Sequence, residues 1–109
     1  MRTLITLTCA AFIGCIIPAK AESLSEQCKA YGKYARTVMD GRQQEVPMSQ
    51  LMDVLDTSRD ISEAGKNMLR SLVIAAYEQP AFSTEKNKRN AVASFGNAAE
   101  VSCYKGATR

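Results

Sequence analysis

The chain reads as an all-α protein: a small bundle of about four helices, the second one short, stapled by one disulfide. Three observations carry this reading. Apolar residues recur at intervals of three and four from Leu24 to Cys103, the spacing that puts side chains on one face of a helix. No stretch shows the strict alternation or the β-branched run of a strand. Prolines and capping residues divide the periodic segments into four.

The first segment carries Leu24, Cys28, Tyr31, Ala35, Val38 and Met39 on one face, which predicts a helix over about 23–44. Val46-Pro47 ends it, because a residue before proline is pushed out of the α region. Ser49 is the expected N-cap of a short second helix with Met48, Leu51, Met52 and Leu55 facing inward. Asp60 with Glu63 has the form of a capping box for a third helix. Its inward stripe is Ile61, Ala64, Met68, Leu72 and Ala76, widened by Leu69 and Val73, and Pro80 closes it. Ser83-Thr84-Glu85 then combines an N-cap with an acid in the first turn, opening a fourth helix to about residue 104. Its stripe is Ala91, Val92, Phe95, Ala99 and Cys103.

The first 21 residues are read as an export signal rather than part of the fold. Met1-Arg2 forms a short basic start, 3–17 is uncharged, and Ala19-Lys20-Ala21 supplies small residues where a signal peptidase reads. The uncharged run of 15 residues falls short of the ~20 that span a bilayer. Cleavage after Ala21 leaves one mature domain, 22–109. A competing site is Phe12-Ile13-Gly14-Cys15, whose Gly-Cys resembles a lipobox and would make a lipoprotein through Cys15.

Cleavage after Ala21 changes the arithmetic of cysteine and charge. Cys9 and Cys15 leave with the signal, and the remaining Cys28 and Cys103 read as one structural disulfide in an oxidising compartment. The alternative is two independent buried thiols. A bridge between the start of the first helix and the end of the fourth requires those helices to run antiparallel. Closing so long a loop restricts the unfolded chain by about 4.5 kcal/mol, comparable with the net stability of a small domain. Arg2 and Lys20 also leave, so 12 basic residues face 11 acidic ones and no phosphate-binding excess remains. Nucleic acid is therefore not an expected partner. The Lys86, Lys88, Arg89 cluster reads as a solvated helix face.

Several blocks resemble a known group. Val38-Met39, Arg42-Gln43, Val46-Pro47-Met48-Ser49, Ala76-Tyr77-Glu78-Gln79-Pro80, Phe82-Ser83-Thr84-Glu85, Phe95, Asn97 and Cys103 together resemble small exported helical proteins of proteobacterial and prophage genomes that have no assigned function. The resemblance implies a bacterial or phage origin and carries no catalytic assignment. Three positions depart from the pattern: Glu45 stands where a helix-ending Gly is common, Asn87 where an aromatic is common, and Glu100 where Tyr is common.

Candidate chemistry is sparse. The chain has no histidine, which removes the commonest general base and metal ligand, and Ser71 and Ser94 have no histidine to activate them. Asp53, Asp56 and Asp60 would line one side of the second helix, but the glycine-bearing calcium loop is missing. No enzyme, metal or cofactor is expected. Tyr77-Glu78-Gln79-Pro80-Ala81-Phe82 is the most distinctive segment: Tyr77 and Phe82 are expected to pin the corner between helices three and four, with Phe82 as a core wedge. The competing role for Tyr77, Phe82 and Asn97 is as anchors for a protein partner. The expected function is an envelope interaction module, such as an inhibitor or immunity-type protein. A small periplasmic stress chaperone and a structural or homodimerising component are the alternatives.

Overall fold

The computed structural model describes residues 22–108, and within them the fold is all-α. Four helices follow one another: α1 (Leu24–Gln43), α2 (Met48–Thr57), α3 (Glu63–Tyr77) and α4 (Glu85–Ala107). The expected export signal, with its Ala19-Lys20-Ala21 site and the competing Cys15 lipobox, falls outside the described residues. No helix among the described residues is long and apolar enough to cross a membrane.

Capping explains where the helices begin. Ser23 Oγ accepts the Glu26 N–H at 3.1 Å, and Thr84 Oγ1 accepts the Asn87 N–H at 3.2 Å, each satisfying an amide that has no partner inside the helix. Two expected caps are shifted. The N-cap of α2 is Pro47, not Ser49, because a residue with φ fixed near −65° is already set for the turn and lacks the N–H that would otherwise need a partner. The N-cap of α3 is Ser62, whose Oγ accepts the Gly65 N–H at 3.1 Å, in place of Asp60. Starting there lets Ile61 fold back onto the core as a half-buried contact. At the other end, α4 runs three residues past the expected stop at Tyr104, to Ala107.

The end of α1 is a Schellman turn. The Val46 N–H donates to the Gly41 carbonyl and the Glu45 N–H to that of Arg42, both at 2.9 Å, the pairing that closes a helix when its C′ residue is left-handed. That residue is Glu45, at φ 61°.

Helices α1 and α4 form the main pair and run antiparallel, as the cysteine placement requires. Cys28 is bonded to Cys103, with Cα atoms 5.5 Å apart. Steps up α1 match steps down α4: Gly32 faces Glu100, Arg36 faces Gly96, and Gln43 meets Lys88. Both glycines make room for this close approach. A Cβ on Gly32 would strike the Glu100 side chain, and one on Gly96 would strike the stem of Arg36. Each long side chain thus lies across the glycine of the opposite helix, and the two meet in an ion pair at 2.7 Å.

The core lies toward the far end from the disulfide. Val38, Met39, Leu55, Val73 and Ala76 form its centre, and Ala35, Leu72 and Ala99 form a second cluster bridged to it by Tyr34, Leu69 and Phe95. The expected stripes hold except toward the starts of α1, α2 and α3. Leu24, Met48 and Met68 are 40%, 41% and 56% exposed, and Ala64 is exposed too. On α3 the buried line is Leu72, Val73 and Ala76, with Leu69 half-buried against both clusters, and Arg70 pairs with Asp56 of α2 at 2.7 Å.

Candidate functional site: a clamped corner and its cleft

The distinctive residues of the sequence converge at the end of the bundle opposite the disulfide. Gln43 is 1% exposed, the sole buried polar side chain among the described residues. Its Nε2 donates to the Pro80 carbonyl at 2.9 Å and to Met39 Sδ at 3.3 Å, and its Oε1 accepts the Phe82 N–H at 2.8 Å. A primary amide has both donors and an acceptor, so one side chain can hold two points of a turn that has no regular structure of its own. Arg42 Nε donates to the Gln79 carbonyl at 2.9 Å, and its guanidinium lies over the Tyr77 ring, 5.3 Å from the centroid. The Tyr77 hydroxyl donates to the Val46 carbonyl. Two consecutive residues of α1 thus grip the turn between α3 and α4, and Tyr77 grips the turn between α1 and α2 in return.

Lys88 completes the clamp. Its Nζ donates to the Gln43 carbonyl at 2.7 Å, placing a cation at the negative end of α1. Lys86 and Arg89 are exposed, as expected of a solvated face, whereas Lys88 is drawn out of that group. Burial raises the Tyr77 hydroxyl above the ordinary phenol value against the lowering influence of Arg42, and burial alone raises those of Tyr31 and Tyr34.

The singled-out residues separate. Tyr77 is half-buried and holds the corner. Phe82 is 38% exposed, so it is not the expected core wedge; its backbone N–H, taken by Gln43, performs the fixing. Asn97 does not join them. It is exposed on α4, where its Oδ1 accepts from Arg36 at 3.0 Å. Asp53, Asp56 and Asp60 do not form one group either. Asp60 lies beyond the end of α2, and Asp56 pairs with Arg70, raising the basicity of that guanidinium.

Beside the clamped corner opens a cleft of about 490 Å³. Met39, Ala91, Phe95 and Ala98 give it apolar walls, and Phe82 stands at its edge. Gln79, Asn87, Asn90 and Ser94 supply polar groups, and none of the nine lining side chains is charged. A second cleft of about 500 Å³, between α1 and α4, contrasts with it: Arg36, Asp40, Glu85, Lys88 and Arg89 line it. Phe82 was the one sequence candidate at the neutral cleft. Gln79, Asn87 and Asn90 carry no mark of a binding site in the sequence, because each is an ordinary exposed helix or turn residue until the fold sets them around one opening. Comparison with known proteins gives no match: no family model, no curated protein and no solved structure is significantly similar to this chain.

Proposed function

We propose that the protein is an exported, non-catalytic binding module of the bacterial cell envelope, using the neutral cleft beside Phe82 to hold a protein partner. The observation that carries this reading is the composition of that cleft. An apolar wall with a part-exposed aromatic at the edge supplies contact area, and three carboxamides supply paired donors and acceptors suited to a peptide main chain. The frame behind it is held by a disulfide at one end and the Gln43 clamp at the other, so little ordering cost falls on binding. An inhibitor or immunity-type protein needs this combination of rigidity and a single specific surface. The Cys28–Cys103 bond is compatible with an oxidising compartment. A chaperone or self-associating component is the second reading, favoured by the 61%, 56% and 48% exposure of Val54, Met68 and Ile74.

Residues 22–109 immobilised and exposed to an envelope extract distinguish these readings. Retention of one stoichiometric protein, lost in Phe82→Ala, supports a specific module. Because Phe82 is already part-exposed, that substitution should cost only about 1 kcal/mol of stability, so lost binding is separable from unfolding. Retention of many proteins, unaffected by Phe82→Ala, favours the chaperone.

A further inference from the structure

The end of the bundle that carries the disulfide has almost no core. Of residues 22–33 only Cys28 and Gly32 are buried, and Tyr31 is half-buried; of residues 100–108 only Glu100 and Cys103 are even half-buried. None of the core residues of the main cluster lies there. The paired tips of α1 and α4 are held by the Cys28–Cys103 bond, with the part-exposed Arg36–Glu100 pair at their base. An ion pair of that exposure contributes little by itself. Turns with so few buried apolar contacts belong to the least stable part of a fold. The two sulfurs differ in access, since Cys28 is fully buried and Cys103 is half-buried.

We propose that the Cys28–Cys103 bond is a reducible latch: its reduction lets the terminal turns of α1 and α4 separate while the core and the clamped corner stay folded. The reductant is a dithiol. One of its thiolates attacks Cys103 Sγ, forming a mixed disulfide, and the electron pair of the broken bond leaves on Cys28 Sγ, which takes up a proton. The second thiol of the reductant then attacks the mixed disulfide, releasing Cys103 as a thiol and leaving the reductant as a cyclic disulfide. Two electrons and two protons pass to the protein. The opened tips expose Cys28 and Tyr31 beside Leu24, Val101 and Tyr104, which are already part-exposed.

Two measurements on residues 22–109 decide this. The first is the rate at which dithiothreitol reduces the oxidised protein at urea concentrations below its unfolding transition. A rate nearly independent of urea is expected for a latch reached without unfolding; a urea dependence equal to that of global unfolding overturns the proposal. The second is amide hydrogen exchange on the Cys28→Ser/Cys103→Ser double variant. Loss of the loop constraint lowers protection throughout, but residues 24–31 and 100–107 should end about tenfold or more less protected than 38–43 and 69–77, which keep measurable protection. An even loss across all four helices, loss of the helical circular dichroism, or unchanged protection at the tips each overturns it.

Discussion

Gln43 and Phe82 are 39 residues apart, yet the carboxamide oxygen of the first accepts the backbone N–H of the second at 2.8 Å. The same carboxamide donates to the carbonyl of Pro80. Truncation to Gln43→Ala leaves both groups without a protein partner and opens space beside Met39. A loss of about 2–3 kcal/mol is expected in urea unfolding, against a few tenths for the exposed neighbour Gln44→Ala. Gln43→Glu is expected to be damaging at neutral pH and to recover on acidification. Burial raises the pKa of the new carboxyl, so its stabilising neutral form, able to donate to Pro80, is lost as pH rises through that value.

Glu45 is the one non-glycine residue with positive φ among those described. A left-handed conformation costs a side-chain-bearing residue about 1–2 kcal/mol, while glycine gives back part of that through its freer unfolded state. Glu45→Gly is therefore expected to raise stability by about 0.5–1 kcal/mol, measured as a higher urea midpoint with an unchanged slope.

The sign of a substitution at Gly96 should depend on Arg36. In the native background, Gly96→Ala puts a methyl group where the Arg36 stem lies, and a loss of about 1 kcal/mol is expected after helix propensity is offset. With Arg36→Ala the obstruction is gone, and the same change should stabilise by up to about 1 kcal/mol. Denaturation of the four proteins in this double-mutant cycle measures the reversal.

Tyr31, Tyr34 and Tyr77 all ionise above the ordinary value of 10.0, chiefly through burial. Their folded-state pKa values exceed the unfolded ones, so the stability they contribute is fully present below about pH 10 and is lost as pH rises through the raised values. Thermal unfolding should become easier only above that point. The phenolate absorbance of the folded protein should lag that of the protein in strong denaturant.

The four helices, their order and the antiparallel α1–α4 pair were legible from apolar spacing and two cysteines, because each depends on local periodicity or on one long-range bond. The caps of α2 and α3 were not, since Ser49, Asp60 and Ser62 offer equivalent oxygens and the choice falls to Pro47 and to the burial of Ile61. From the sequence Phe82 reads as the wedge of a tight chain reversal, whereas the contact that fixes its position is made by its backbone. Gln43 stands four residues after Met39, on the same inward helix face, yet a polar glutamine gives no sign of burial until a turn 37 residues away supplies its partners.

The crossed placement of Arg36 over Gly96 and Glu100 over Gly32 works as a key in two slots. Sliding α1 by one turn, about 5.4 Å, would bring both long side chains against positions that have no groove to receive them, so the two helices can seat in only one register. It also ties the four positions together as volumes. A homologue that gains bulk at 32 or 96 must lose it at 100 or 36, so the pairs 32/100 and 36/96 should vary in concert wherever this bundle recurs.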